Sequence, residues 1–159
     1  MMEQIELRDM IDQLSDEDAK SLTTLVRLLK HTHGKPYSFF ERILDFDIFG
    51  FDSERGLYQS KMTIRDELRN KMKILHGGAL STFVDTSMGA AIYQQFQGER
   101  AVTIDLHVQF LSPGITGDLF AETKIIKQGR RTLFVTTNVI DQNQQLIAVA
   151  NGIFHRKSK

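Results

Sequence analysis

The proline-free apolar segment at residues 76–97, together with the four strand-like runs after it, most constrains the fold. The segment has the 3.6-residue period of a helix, and its apolar side carries Leu80, Phe83, Val84, Met88 and Ala91. The runs are 101–111, 119–127, 132–140 and 145–155, and short turn-forming stretches separate them. Runs of this length exceed the usual five or six residues of a strand, so they predict a curved antiparallel meander. The helix must bury its apolar side, and that sheet is the only predicted surface large enough to cover it.

Two shorter strands and two helices are predicted before this segment. Residues 43–51 alternate in polarity, a turn follows, and 57–64 is a second strand-like run, which together predict a hairpin. Residues 3–14 have a helical period, and Ser15 can cap a second helix that ends near Gly34. The fold class is therefore α+β. We expect a helical extension at residues 1–36 and the main domain at 37–159.

Composition excludes several classes of function. The 159 residues include no cysteine, which excludes disulfides, thiolate metal sites and cysteine nucleophiles. No apolar run approaches the ~20 residues of a membrane span, and the first ten residues do not resemble a secretory signal. The formal net charge of zero argues against nucleic-acid binding. We therefore expect a cytoplasmic protein with no metal, no membrane and no nucleic-acid partner.

Asp85 is the only charged residue between Lys73 and Glu99. The small residues on its side of the helix are Gly78, Ser81, Thr82 and Gly89. A carboxylate in an apolar stretch is costly to bury unless it is paired or functional. An exposed Asp on a solvated stripe and a functional Asp beside a ligand both fit this pattern.

The sequence His76-Gly77-Gly78 marks the start of the same helix. Glycines allow a ligand to approach the backbone, and the first free N–H groups of a helix can stabilise a negative oxygen. Asp85 lies about 13 Å further along the helix, so one ligand atom cannot easily contact both places in one chain. A symmetric dimer would bring the helix start of one subunit against Asp85 of the other.

The segment from Asn70 to Asp85 resembles the signature of the PaaI-like hotdog-fold acyl-CoA thioesterases. Asn70 stands six residues before His76-Gly77-Gly78, and Asp85 follows nine residues after the histidine. The run 102–113, the basic turn 127–131 and the last strand 147–154 also resemble the family. The likeness covers roughly residues 42–156 and leaves out the N-terminal helices.

The resemblance implies a long helix wrapped by a curved antiparallel sheet, in a dimer or a dimer of dimers. It implies that Asp85 is the general base or the nucleophile, and that the Gly78 N–H polarises the thioester carbonyl. Asn70 would hold that carbonyl or the water, Thr103 would orient the water, and His76 would shape the turn. One residue departs from the family pattern: Lys73 stands where many relatives have glycine, which puts the placement of Asn70 in doubt if φ is positive there.

Basic residues flank two of the predicted strands. The basic residues are Arg130, Arg131, His155, Arg156 and Lys157, and Gln128 and Gly129 belong to the same turn as the two arginines at 130 and 131. Antiparallel pairing would bring them to one edge, where they could bind the phosphates of coenzyme A. An equally good interpretation is that they are ordinary charged residues of a turn and of the chain terminus, with no role in binding. Coenzyme A would be part of the substrate, so we expect no separate cofactor.

Two functions of different class fit the sequence. The first is a thioesterase that hydrolyses acyl-CoA to the free acid and CoA. The second is a non-catalytic acyl-CoA-binding protein that acts as a ligand sensor through its N-terminal helices. Asp85 favours the first, because a protein that only binds has no need of a carboxylate beside the thioester.

Overall fold

Six antiparallel strands form one sheet, and one long helix packs against it. The computed structural model describes residues 2–156, with side chains from Glu6 onward. The helices are α1 (Met2–Asp12), α2 (Asp16–His31), α3 (Phe39–Leu44) and α4 (Gly77–Gln95). The strands are β1 (Asp47–Asp52), β2 (Leu57–Ile64), β3 (Ala101–Phe110), β4 (Gly117–Gln128), β5 (Thr132–Asp141) and β6 (Leu146–Arg156). The predicted α+β fold, a sheet around a long helix, is confirmed.

The core lies between α4 and the sheet. Phe83, Val84, Met88, Ala91 and Ile92 of the helix are fully buried, as the period of the segment predicts. They pack against inward-facing strand residues, which are Met62, Leu119, Leu133, Val135, Val139, Ile147 and Phe154. Burying one such side chain contributes roughly 1.5–3 kcal/mol, so this contact fixes α4 and everything it carries.

The strand order is β1-β2-β4-β5-β6-β3, which differs from a four-strand meander. The meander holds for β4, β5 and β6, but β3 pairs with β6 and lies at the sheet edge. The segment after β3 does not make a tight turn, because Leu111 and Ser112 donate to the Ile147 carbonyl. The Gly114 carbonyl accepts from Leu75 N, which ties the same segment to the loop before α4.

The strand predicted at residues 43–51 begins too early. Residues 39–44 form α3, and β1 starts only at Asp47. Ser38 and Glu41 form a capping box, in which each side chain accepts from the backbone N–H of the other. Asp45 then adopts a φ of +54°, which separates the helix from the strand. The alternation of polarity from residue 43 onward therefore predicted a strand where the last residues of a short helix, α3, lie.

The residues group into two compact units, Met1–Ile43 and Leu44–Lys159. In the first, the Ser15 hydroxyl caps α2 by accepting from Asp18 N, as predicted. Arg42 donates to the Leu29 carbonyl and to the Thr32 hydroxyl at the other end of α2. The domain boundary after residue 36 stays a prediction. None of the described helices combines the length and the apolar content of a membrane crossing.

Candidate functional site

The start of α4 is capped by its own histidine. His76 is the N-cap residue, and its Nδ1 accepts a hydrogen bond of 3.0 Å from Gly78 N. A Cβ on Gly78 would lie 3.2 Å from that Nδ1, so a larger residue would press on the ring. His76 thus shapes the turn, in line with the prediction. The Gly78 N–H is engaged by the ring in this structure, so a substrate oxygen must replace the ring to use it.

The loop before α4 is organised by Asn70. Its Oδ1 accepts from Met72 N at 2.8 Å, and its backbone carbonyl accepts from Lys73 N at 2.9 Å. Lys73 has a φ of +61°, the left-handed conformation that the family's glycine suggested. The side-chain Oδ1 and the backbone carbonyl oxygen of Asn70 therefore both accept hydrogen bonds within the loop. The side-chain NH₂ is the part of Asn70 that can donate to a ligand.

Thr103 binds the carboxylate of Asp85. The Thr103 hydroxyl donates to Asp85 Oδ1 at 2.7 Å, and both residues are half-buried. A β-bulge between Thr103 and Asp105 follows directly. Thr103 therefore contacts the acid itself, and the role that the resemblance implies for it, orienting the water, stays a prediction. Within residues 6–156, no basic side chain forms an ion pair with Asp85, and Oδ2 has no hydrogen-bond partner.

The face of α4 around Asp85 is open and lined by small residues. A Cβ on Gly89, one turn beyond Asp85, would have no atom within 4 Å. The Gly78 and Asp85 positions lie about 10 Å apart along the helix axis at 1.5 Å per residue. One atom therefore cannot contact both Gly78 and Asp85 of the same chain, and the position beyond Asp85 at Gly89 is open.

The edge strand β3 exposes two large apolar side chains. Val102 and Ile104 are 69% and 61% exposed, although both are large apolar residues. An edge strand leaves backbone N–H and C=O groups unpaired, and exposed apolar side chains along it favour pairing with another strand. Thr103 lies between these two residues, so a partner on β3 would approach the acid of α4.

The strand register brings the predicted basic residues together. His155 lies opposite Thr132 on β5 and Val102 on β3, and Arg156 N donates to the Arg131 carbonyl at 2.8 Å. The side chains of Gln128, Arg130, Arg131 and His155 are exposed, Gly129 N donates to the Thr132 carbonyl, and Lys157 lies outside the described residues. The register places these exposed residues at the same end of the sheet.

Arg156 differs from the other basic residues of this group. Its guanidinium donates twice to Glu99 Oε2, at 3.0 and 2.6 Å, and lies 4.3 Å from the centre of the Phe96 ring. It therefore contacts Glu99 and the Phe96 ring through Nε, Nη2 and the face of the guanidinium, and Nη1 has no described hydrogen bond. Arg100 is exposed at the same end of the sheet, because Ala101 pairs with Arg156. The sequence analysis missed Arg100, since it did not place β3 beside β6.

A cavity of about 360 Å³ opens beside the start of α4. Its lining residues are Asn70, Ile74, Leu75, Gly77, Leu80, Phe110, Leu111, Ser112, Pro113 and Gly114. Sequence reasoning missed the contribution of Phe110 and Leu111. The sequence feature that could have indicated them is an apolar pair at the end of a strand-like run, directly before Ser112-Pro113.

Known proteins share both the sequence pattern and the fold. The model of the family described as "Thioesterase superfamily" matches residues 72–148. Acyl-coenzyme A thioesterase PaaI of Escherichia coli is 31% identical over 116 residues, which cover 72% of this chain and 80% of that protein. The solved E. coli PaaI structure aligns with a TM-score of 0.70 and 26% identity over 84% of this chain and 94% of that one. The Bacillus halodurans protein BH2602, solved with CoA, aligns with a TM-score of 0.81 and 22% identity over 96% of this chain and 99% of that one.

Proposed function

Since the chain belongs to the thioesterase superfamily and is a thioester hydrolase, we propose that it hydrolyses acyl-CoA to the free acid and CoA. The observation that carries the proposal is the carboxylate of Asp85 on the open face of α4. One of its oxygens is held by Thr103 and the other has no partner in the described chain. Acyl-CoA is the substrate named for the similar E. coli PaaI, and CoA is present in the similar Bacillus halodurans structure.

Asp85 can act in two ways that the geometry allows equally. As a general base, it takes a proton from water while the hydroxide adds to the thioester carbon, and the C–S bond then breaks to release the CoA thiolate, which takes up the proton from Asp85. As a nucleophile, its free oxygen attacks that carbon, CoA leaves as the thiolate, and water hydrolyses the resulting anhydride. After a single turnover in ¹⁸O-labelled water, label in the Asp85 side chain identifies the nucleophilic route with attack of water on the aspartyl carbon, and trapping of the anhydride identifies that route when water attacks the acyl carbon instead.

The helix start of a second chain supplies the other half of the site. The Gly78 N–H, released from His76, and the Asn70 side-chain amide stabilise the oxygen that becomes negative when the carbonyl is attacked. The ~10 Å between Gly78 and Asp85 within one helix is too long for a single reacting carbon to contact both. Two chains that pair through the exposed edge of β3 would bring Asp85 of one to the helix start of the other.

The exposed basic surface binds the nucleotide end of CoA. Arg130, Arg131 and His155 present their side chains there, and arginine suits phosphate because its donors form a planar fork. Arg100 extends the same surface, whereas Arg156 is held by Glu99. Arg100 adds to the predicted set, and the role of Arg156 in phosphate binding stays a prediction.

Asp85→Asn tests the proposal. We expect kcat for acyl-CoA to fall about 10²–10⁴-fold, the usual effect of removing a positioned base, while acyl-CoA binding persists. Asp105→Asn is the matched control, because Asp105 is an exposed carboxylate on β3 with no described contact to Asp85. Turnover of Asp85→Asn at the wild-type rate contradicts the role of Asp85. Tight binding of acyl-CoA by the wild-type protein without any hydrolysis would instead support the sensor function.

A further inference from the structure

The helix α1 carries an apolar stripe that the rest of the described chain leaves uncovered. Leu7, Met10 and Ile11 lie on one face of the helix, and Leu14 follows in the turn beyond it. These four side chains are between 39% and 61% exposed, and every residue from Glu6 to Ser15 is exposed. Their spacing of i, i+3, i+4 and i+7 is that of an amphipathic helix that docks into a groove. The stripe therefore has the form of a docking element.

A groove of about 470 Å³ lies beside the C-terminal half of α2. Its lining residues are Val26, Leu29, Lys30, His33 and Arg42. Two of these are aliphatic, and the alkyl stems of lysine and arginine add further apolar surface. The Nε and Nη2 atoms of Arg42 donate to the Thr32 hydroxyl and the Leu29 carbonyl, which fixes this cation in the wall. The groove therefore combines apolar walls with fixed positive charge.

The helix and the groove are complementary in charge. The side chains of α1 from Glu6 to Asp12 include three carboxylates and one arginine, which gives a net charge of −2. The groove contains Lys30 and Arg42, and no acidic residue lines it among the residues that the structure describes. Charge complementarity of this kind steers association and suppresses wrong partners. The groove therefore suits α1 in both polarity and charge.

The α1 helix of the same chain is too short to fill this groove by folding back along α2. Its 11 residues span about 16 Å at 1.5 Å per residue, and α2 begins at Asp16, only four residues after α1 ends. A folded-back α1 would therefore cover α2 only as far as about residue 26. Leu29 and Lys30 lie about 20 Å from Asp16 along the helix axis, beyond that reach. A second copy of the chain has no such restriction.

We propose that α1 of one copy docks in the α2 groove of a second copy, with Leu7, Met10 and Ile11 packed against Val26 and Leu29. Two copies related by a two-fold axis then exchange their α1 helices, so that each pair contains two such contacts. The contact uses no residue of β3 or α4, and it does not rest on the proposed hydrolysis.

Engineered cysteines test this contact directly, because the chain contains no cysteine of its own. Met10→Cys and Leu29→Cys proteins are purified separately, mixed under conditions that exchange subunits, oxidised and analysed by intact mass spectrometry. A disulfide forms only when the two Cα atoms lie about 4.4–6.8 Å apart, so we expect the mixed pair to be the main cross-linked product. Asp9→Cys mixed with Leu29→Cys is the matched control, because Asp9 is exposed on the opposite side of α1. The control should give a yield at least about fivefold lower.

Equal yields from Met10→Cys and Asp9→Cys would overturn the inference, as would no cross-linking at all. A product that joins two Met10→Cys chains in preference to the mixed pair would also overturn it, because α1 would then pair with α1.

The charge argument has a test of its own. Lys30→Glu, added to the Leu29→Cys chain, should lower the mixed yield about two- to fivefold at low salt, the usual effect of an exposed charge pair. The difference should shrink at high salt, where charges are screened. An unchanged yield at low salt would contradict the charge complementarity on which the inference depends.

Discussion

Thr103→Val tests whether the Thr103 hydroxyl holds Asp85 in the position needed for reaction. Valine keeps the branched shape of threonine in β3 but removes the hydroxyl that donates to Asp85 Oδ1 at 2.7 Å. A hydrogen bond to a charged group contributes about 1.5–3 kcal/mol, and every 1.36 kcal/mol corresponds to a tenfold change in rate. If the bond holds the carboxylate in its reactive position, kcat should fall about 10- to 100-fold.

The assay is the release of free thiol from acyl-CoA, measured as kcat and KM, with the melting temperature recorded in parallel. We expect the loss in kcat with KM nearly unchanged, because Thr103 contacts the acid rather than the bulk of the substrate. The lost hydrogen bond should also lower the melting temperature by several degrees, so the assay is run well below it. Thr103→Ser keeps an Oγ donor and should restore most of the rate. Equal turnover of the valine variant and the wild type would refute the reasoning.

Four other variants test the remaining parts of the account. Lys73→Gly should raise the free energy of unfolding by about 1 kcal/mol in a denaturant titration, because glycine relieves the φ of +61°. His76→Ala should lower it by about 1 kcal/mol, the usual cost of losing an N-cap, and a value near zero would argue against the cap. Arg130→Ala combined with Arg131→Ala should raise KM for CoA esters but not for thioesters that lack the nucleotide, and equal effects on both would contradict the phosphate contact. Arg156→Ala should lower stability by about 2 kcal/mol with KM unchanged, since its guanidinium is bound to Glu99.

Elements with a long, strict period could be predicted from the sequence. The buried side of α4 followed from its 3.6-residue repeat, and all six strands from alternating or continuous apolar runs, although the first was predicted to begin four residues before β1. The edge position of β3 could not be predicted, because pairing between β3 and β6 depends on contacts that are distant in the chain. The helix α3 was missed, since six residues give too little periodicity to outweigh the alternation that overlaps them.

The candidate site likewise contains residues that could be predicted from the sequence and contacts that could not. Asp85 and His76 could be singled out, because a lone acid and a glycine pair interrupt an apolar helix. The bond from Thr103 to Asp85 and the pairing of Arg156 with Glu99 join distant segments, so local patterns do not reveal them. The Phe110 ring over Gly77 is a third such contact, and it depends on how β3 lies along α4.

Activity of mixed dimers tests the central claim, that Asp85 of one chain serves the helix start of another, most directly. Asp85→Asn and Gly78→Val subunits are each purified, shown to be folded and inactive, and then mixed in equal amounts under conditions that exchange subunits. If the two halves of a site come from different chains, each mixed dimer contains one intact site, and about one quarter of the wild-type activity returns. If both halves come from the same chain, every site keeps one defect. Mixing would then restore no activity, which would contradict the account.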